Sequence, residues 1–228
     1  MLIRSTDLGQ QVRKYVLDHF LEFSVPPIVE QIMKKFRLGR AQAVEVLQWL
    51  ETARHLRLVP GTQRILMAFP FSAIATPFVV TRRNRRWYFA NCAWDAVAFH
   101  AMLNEEVRIG TQCHHCAEPI AITLANGQAM ATPRGPIVHL SLPASQWWND
   151  IVNTCSNHMV FYRSRSHLDD WRESNPEPDG ASLTLEQTHA LSVPIYRDKM
   201  KLEYVRPSKD ELVAHFRALS LTGPFWDL

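Results

Sequence analysis

The chain has 228 residues and a formal net charge of +3, with 46% hydrophobic and 21% charged residues. This composition is ordinary for a folded globular protein and excludes a wholly disordered chain. The sequence contains no run of about 20 apolar residues of the kind that spans a membrane, and its first residues lack the apolar segment of a secretion signal. We therefore expect a cytoplasmic protein with one large domain, or a small domain fused to a medium one.

The first part of the chain has the pattern of three short helices followed by a β-hairpin. Apolar residues recur at helical spacing, and Pro26-Pro27 ends the first helix. After the third helix, two short apolar runs flank Pro60-Gly61, a dipeptide that is typical of turns. We interpret residues 1–67 as a winged-helix-like N-terminal module.

Winged helices often bind DNA, which requires basic side chains on the third helix. Here that helix has Arg40 at its start and Arg54 at its end, with Glu45 and Glu51 between them. This charge pattern is a poor match to the phosphate backbone. We therefore favour a helical module that packs on the rest of the protein, and we do not expect a nucleic-acid partner.

Residues 68–228 have the mixed pattern of an α+β domain, in which helices flank a mixed or antiparallel β-sheet. Strands are predicted at residues 107–109, 120–124, 137–142 and 159–162, and residues 125–136, rich in Gly, Pro and Ala, are predicted as a loop. Ser208 and Glu211 have the spacing of a capping box, which predicts a C-terminal helical tail.

The most informative short motif lies at the start of a predicted helix near residue 91. Cys92 and Asp95 are three residues apart, so both side chains face the same side of that helix. The carboxylate can then exchange a proton with whatever the thiolate binds. Neighbouring Trp87, Trp94 and Phe99 would desolvate the carboxyl group and raise its pKa. The alternative is that the cysteine simply packs in the core.

A second motif, Cys113-His114-His115-Cys116, has the spacing of a metal half-site. A structural zinc ion needs four ligands, and the chain contains no second pair of this kind. Cys92 and Cys155 would complete a four-thiolate zinc site only if the fold brought all four cysteines together. The alternative is that Cys113 and Cys116 are reduced thiols in a turn.

Three segments carry a resemblance to a known family. The run RWYFANCAWDA, residues 86–96, resembles the active-site segment of the organomercurial lyases, also called alkylmercury lyases. Their pattern is an arginine, an aromatic pair and then Cys-Ala-x-Asp. Residues 107–124 resemble the next strands of that family. Residues 153–164, followed by Trp171, resemble the segment that holds its second essential cysteine, and the similarity extends over roughly residues 10–200.

The position of that second cysteine has two interpretations. If the aromatic pair Phe161-Tyr162 is aligned without gaps, Ser156 takes the place of the family's cysteine, and Cys155 lies one residue earlier. A shift of one residue turns a side chain to the other face of a strand, but in a turn it need not. We favour Cys155.

The resemblance implies an enzyme that cleaves a carbon–mercury bond by protonolysis. Cys92 and Cys155 would bind the mercury, Asp95 would carry the proton, and these three groups would hold the Hg(II) product. It also implies an apolar substrate pocket formed by Trp87, Tyr88, Trp94, Phe99 and Ser156. No organic cofactor is implied, and small cellular thiols would carry the product away.

Three alternatives stay open at this point. A divergent member of the family would use the same residues on another carbon–heteroatom bond. A metal-sensing protein would bind a thiophilic ion without turnover. A structural zinc protein would use all four cysteines on one ion. The sequence indicates neither the natural organic group nor the oligomeric state.

Overall fold

A computed structural model describes residues 5–175 and 180–228. The helices of the described chain are α1 Ser5–Phe23, α2 Val29–Phe36, α3 Arg40–Thr52, α4 Ala93–Leu103, α5 Ile151–Asn157, α6 Arg165–Ser174, α7 Leu185–Tyr196 and α8 Lys209–Ala218. The strands are β1 Arg57–Leu58, β2 Ile65–Ala68, β3 Phe71–Ser72, β4 Val79–Arg82, β5 Trp87–Ala90, β6 Val107–Gln112, β7 Pro119–Ala125, β8 Gln128–Thr132, β9 Ile137–Leu140, β10 Met159–Tyr162 and β11 Ala181–Leu183.

Two sheets form the β part of the fold. The larger has the strand order β1-β2-β3-β5-β4-β6-β7-β8, and the smaller has the order β10-β9-β11. Every strand pair in the described chain is antiparallel. The predicted α+β class is therefore confirmed.

The N-terminal part contains the three predicted helices and the hairpin formed by β1 and β2. The hairpin does not stand apart from the rest, because β2 also pairs with β3: Met67 lies opposite Ser72, and Ala68 opposite Phe71. The main sheet is thus continuous past residue 67. The domain boundary at that position and the winged-helix assignment stay predictions.

Helix α4 is the central element of the core. Nearly all of its residues are buried, in keeping with the apolar sequence AWDAVAFHAML. Its Phe99 ring lies 4.8 Å from that of Phe71 and 5.8 Å from that of Tyr88. Each fully buried side chain of this size contributes roughly 1.5–3 kcal/mol. This packing fixes the helix against the sheet, and Trp94 donates a hydrogen bond of 2.8 Å from its indole N–H to Ser192 on α7.

Two elements differ from the sequence prediction. Residues 125–136 are not all loop, because β8 pairs with β7 through a tight hairpin turn. Asn126 and Gly127 both have positive φ, 52° and 72°, as this type of turn requires. The residue pattern predicts that a helix begins within residues 145–150, whereas the structure has one short 3-10 turn at Ala144–Gln146 and then the helix α5. It begins after Asp150, whose side chain accepts a hydrogen bond from the backbone N–H of Asn153 at 3.1 Å.

The predicted capping box begins helix α8. Ser208 Oγ accepts from the backbone N–H of Glu211 at 3.3 Å, and the Glu211 carboxylate accepts from the backbone N–H of Ser208 at 2.8 Å. Beyond this helix, Trp226 packs its ring against Phe216 and Trp147. Within the described chain, no helix is both long and apolar enough to cross a membrane.

Candidate active site

Cys92 lies at the junction of a strand and a helix. Strand β5 ends at Ala90, and Cys92 has extended backbone angles as the N-cap of α4. Its Sγ accepts a hydrogen bond from the backbone N–H of Asp95 at 3.3 Å, in the manner of the Ser or Asp that usually caps a helix. The side chain is buried. A thiolate at this position would face the positive end of the helix dipole.

Asp95 is buried in the first turn of α4, and both of its carboxyl oxygens are hydrogen-bonded. Tyr196 donates its hydroxyl to Oδ1, and Asn91 donates its amide to Oδ2 at 3.0 Å. Burial raises the pKa of Asp95, while the hydrogen bonds from Tyr196 and Asn91 and the positive charge of Lys199 oppose that rise. The hydrogen bonds therefore hold the carboxyl group in one orientation. Its buried surroundings favour the protonated form more than water does.

Cys155 reaches the same place from helix α5. The Sγ atoms of Cys92 and Cys155 and one carboxyl oxygen of Asp95 all lie within 4.8 Å of one another, and the three residues are buried. Burial raises the pKa of Cys92 well above its ordinary value, and the Cys155 thiol and the Asp95 charge add to this. The hydrogen bond from Cys92 acts to lower the pKa of Cys155, but burial and Asp95 outweigh it, so that pKa is raised too.

These three groups line a cavity of about 370 Å³. Much of the remaining lining is aromatic or aliphatic and includes Phe69, Trp94, Trp147, Ile151, Met159 and Phe216. A mainly apolar cavity with a few converging polar groups is the usual form of a small-molecule site. The last residue of the tail, Leu228, also lines it.

The structure places several of the predicted pocket residues elsewhere. Trp94 lines the cavity, but Trp87 is 51% exposed on β5. Tyr88 is buried and donates its hydroxyl to the carbonyl of Leu21 at 2.9 Å, and it stacks on Phe99 in the core between the sheet and α4. Tyr88 and Phe99 therefore stabilise the scaffold under the site, whereas Trp147 and Trp148 line the cavity.

Cys155 and Ser156 are neighbours on helix α5, but their side chains point in different directions. The side chains of successive helix residues point about 100° apart, so when one faces the cavity the next faces away from it. Cys155 is buried beside Cys92, whereas Ser156 is exposed and does not line the cavity. The structure thus brings Cys155, and not Ser156, to Cys92 and Asp95.

Lys199 is a buried lysine that no sequence motif indicates. Its side chain is buried, and within the described chain its Nζ has no hydrogen-bond partner. The ammonium group lies 4.8 Å from the ring centroid of Tyr196 and 5.7 Å from that of Tyr204. Burial lowers the pKa of Lys199 to about 7, with a further lowering by Arg206 and an opposing effect of Asp95.

Three cationic side chains, those of Arg54, Arg206 and Lys209, are part of the cavity lining. The ring centroid of Trp148 lies 4.8 Å from the guanidinium group of Arg54 and 5.1 Å from that of Arg206, and Lys209 lines the same cavity. No sequence motif indicated this arrangement, because Arg54 lies far along the chain from Arg206 and Lys209. It favours the entry of anionic molecules.

The other two cysteines form a separate group. Cys113, Cys116 and His167 have ligand atoms that lie within 4.8 Å of one another, and neither Cys92 nor Cys155 is among them. All four cysteines are free thiols. The predicted alternative of one zinc ion held by all four cysteines is therefore wrong, because the fold divides them between two sites.

The fold and this geometry define a class of protein: an α+β scaffold with two thiols and a carboxyl group converging in an apolar cavity. The family model for alkylmercury lyase (MerB) matches residues 71–197, which is more than half of the chain. The protein belongs to the alkylmercury lyase family, and the matched range contains all three converging residues.

Individual relatives are distant. Alkylmercury lyases of Bacillus cereus and Clostridium butyricum are each 27% identical to this chain over 119 residues, which is 52% of this chain and 52% of theirs. The chain thus matches about half the length of these curated relatives. A crystal structure of the mercury-bound form of MerB2 superposes with a TM-score of 0.67 at 19% identity, covering 85% of this chain and 91% of that one. That likeness shows a shared fold.

Proposed function

We propose that this protein is an organomercurial lyase that converts R–Hg(II) and a proton into the hydrocarbon RH and Hg(II). The observation that carries the proposal is the convergence of Cys92, Asp95 and Cys155 within 4.8 Å in a buried cavity. Mercury is a soft cation that prefers thiolate ligands. Membership of the alkylmercury lyase family supports the same reaction.

The first step is an exchange of thiols on mercury. The substrate arrives as R–Hg–SR′, in which R′SH is a small cellular thiol. One cysteine, Cys92 or Cys155, gives its sulfur to mercury and its proton to the departing R′S⁻. The enzyme then holds R–Hg–S–Cys, and R′SH leaves. The raised thiol pKa values mean that a proton must be removed from each cysteine as it binds mercury.

The second step breaks the carbon–mercury bond. The remaining thiol gives its proton to the Asp95 carboxylate and its electron pair to mercury. Electron donation by two sulfurs weakens the bond to carbon, and the bonding pair leaves with the carbon. Asp95 then delivers the proton to that carbon, so RH departs and the carboxylate is restored. Mercury stays on Cys92 and Cys155, near Asp95.

The surroundings of Asp95 suit this role as a proton carrier. Burial raises its pKa, which helps the carboxyl group to hold and then deliver a proton, while Tyr196 and Asn91 fix its orientation. The apolar wall formed by Trp94, Trp147 and Met159 would hold the organic group and exclude water from the departing carbon. Two molecules of R′SH then remove the product as Hg(SR′)₂ and return both protons to the cysteines. The reaction needs no further cofactor.

The experiment that tests this function uses purified, reduced protein with phenylmercury and an excess of small thiol. Benzene is measured by headspace gas chromatography. Formation of benzene over several turnovers supports the lyase. Tight mercury binding without benzene would contradict it and would leave a thiophilic-metal-binding protein or a lyase for another carbon–heteroatom bond.

A further inference from the structure

The group formed by Cys113, Cys116 and His167 has no role in the reaction proposed above. Cys113 is buried at the end of β6, Cys116 is exposed in the turn that leads to β7, and His167 is part-buried in the first turn of α6. Their sulfur and nitrogen ligand atoms lie within 4.8 Å of one another. Three soft or borderline ligands thus converge from two parts of the chain that are far apart in sequence.

Backbone hydrogen bonds preorganise the two cysteines. The carbonyl of Cys113 accepts from the N–H of Ala117 at 2.9 Å, which closes the turn, and Ala117 has a positive φ of 59°. This turn brings the thiol of Cys116 back to that of Cys113. The Sγ of Cys113 also accepts from the backbone N–H of Arg163 at 3.4 Å. An N–H donated to sulfur stabilises a thiolate and orients it, as the outer shell of a metal site does.

His167 is placed by the cap of its helix. Ser164 Oγ accepts from the backbone N–H of His167 at 3.3 Å. This cap fixes the start of α6 so that His167 Nδ1 lies 3.8 Å from Cys113 Sγ. His115 lies beside them, with its ring centroid 5.8 Å from that of His167. Its imidazole can supply a fourth ligand when its rotamer changes.

We propose that Cys113, Cys116 and His167 bind a zinc ion, with His115 or a water molecule in the fourth position. Two thiolates, one imidazole and one more ligand form the tetrahedral set that zinc prefers. Binding displaces one proton from each thiol, and the two thiolates neutralise the charge of the ion. This inference is independent of the proposed lyase function, because it uses neither Cys92, Asp95 nor Cys155.

The ion would join elements that support the lyase cavity. The β6–β7 turn already contacts β10 through a hydrogen bond of 2.8 Å from the N–H of His114 to the carbonyl of Phe161. Strand β10 directly follows α5, the helix that contains Cys155. Zinc would therefore link the turn, β10 and α6 into one rigid support behind α5. We expect the ion to contribute to stability, because it would join the β6–β7 turn to α6 through its ligands.

The test uses a Cys92→Ser/Cys155→Ser protein, in which Cys113 and Cys116 are the only thiols. The reduced, metal-free protein is titrated with Co²⁺ under argon and then with Zn²⁺. We expect one Co²⁺ per chain, with the visible bands of tetrahedral coordination and a sulfur-to-cobalt charge-transfer band, and displacement by one Zn²⁺. Adding His167→Ala should weaken the binding by about tenfold or more, because it removes a ligand. Octahedral Co²⁺ without the charge-transfer band would overturn the proposal.

A second measurement covers the case in which the double variant does not fold. Wild-type protein, His167→Ala and a control, His158→Ala, are compared by thermal unfolding with and without one equivalent of Zn²⁺. We expect zinc to raise the midpoint of the wild type and of His158→Ala, and to raise that of His167→Ala much less. Equal shifts in all three proteins, or no shift in the wild type, would refute a site that contains His167.

Discussion

The hydroxyl of Tyr196 donates a hydrogen bond to Oδ1 of Asp95. This contact ties the last residue of α7 to the first turn of α4, although the two residues are 101 positions apart. Together with the amide of Asn91 on Oδ2, it leaves the carboxyl group one orientation towards Cys92. The proton carrier of the proposed reaction is thus positioned by one residue of the cysteine motif, Asn91, and by one residue far outside it, Tyr196.

Asp95→Asn should bind mercury but turn over slowly. The amide keeps the shape of the carboxyl group, and the two thiols that bind mercury remain, but the amide cannot carry the proton to carbon. General acid–base catalysis is typically worth about 10²–10⁴-fold, so we expect a loss of that order in kcat. Benzene formation from phenylmercury gives kcat, and equilibrium dialysis gives the mercury stoichiometry. Full activity in this variant would exclude Asp95 as the proton carrier.

Tyr196→Phe should move the acid limb of the pH–rate profile to higher pH. The hydrogen bond from Tyr196 lowers the pKa of Asp95, so its removal raises that pKa. Asp95 must be a carboxylate to accept a thiol proton, and activity is therefore lost as the pH falls through its pKa. In the variant this loss begins at a higher pH.

The matched control is Tyr204→Phe. Tyr204 is also buried, but its hydroxyl donates to the carbonyl of Ile195 at 2.7 Å and not to Asp95. We expect kcat/KM to keep its wild-type acid limb in this control. A shift of equal size in both variants would mean that the effect comes from general loosening of the core and not from the hydrogen bond to Asp95.

Lys199→Met should stabilise the protein, and most strongly in acid. Burial lowers the pKa of Lys199 to about 7 from an ordinary value of 10.5. Between these two values the unfolded chain binds the proton that the folded chain does not, so the stability of the wild type rises with pH across this window. Below pH 7 Lys199 is charged in the folded protein too, so the full free-energy cost of burying that charge lowers the stability of the wild type. Methionine keeps the aliphatic stem and removes the charge.

Urea unfolding of the wild type and Lys199→Met, at pH values between 6 and 9, measures this effect. We expect the difference in the free energy of unfolding to be largest at pH 6 and to shrink as the pH rises. A variant that is less stable than the wild type at every pH would show instead that the ammonium group makes a net favourable interaction with Asp95 or with the ring of Tyr196.

Arg206→Gln should lower the preference for carboxylated substrates. Arg206 and Arg54 flank Trp148 at the cavity, where a guanidinium edge can bind a carboxylate on the organic group or on the accompanying thiol. We expect the ratio of kcat/KM for 4-carboxyphenylmercury to that for phenylmercury to fall several-fold in the variant. The wild-type ratio should also fall with added salt, because screening weakens the attraction. An unchanged ratio would remove Arg206 from substrate selection.

The sequence was most informative where the site is local. Cys92 and Asp95 lie three residues apart at the start of one helix, and this spacing together with the family resemblance predicts that they act together. Cys155 could be connected with Asp95 only through the family resemblance, and the ambiguity with Ser156 arose because no helix was predicted to include residues 155 and 156. Once α5 is known, helical geometry separates a buried Cys155 from an exposed Ser156.

Contacts between distant residues were beyond reach of the sequence pattern. Tyr196 contacts Asp95, and the charge of Lys199 acts on it, only after α7 packs on α4, and nothing in their own neighbourhood marks them. The pocket was expected from aromatic residues close to Cys92, but a run of apolar residues does not reveal which face it presents to a cavity. Tyr88 therefore lies in the core, and Trp147, far along the chain, lines the cavity.

The most direct test of the central claim compares Cys155→Ser with Ser156→Ala in single-turnover benzene release from phenylmercury. The two residues are adjacent, but only Cys155 lies with Cys92 and Asp95. We predict that Cys155→Ser releases no benzene and that Ser156→Ala releases it at close to the wild-type rate. An active Cys155→Ser together with an inactive Ser156→Ala would contradict the two-cysteine site described here.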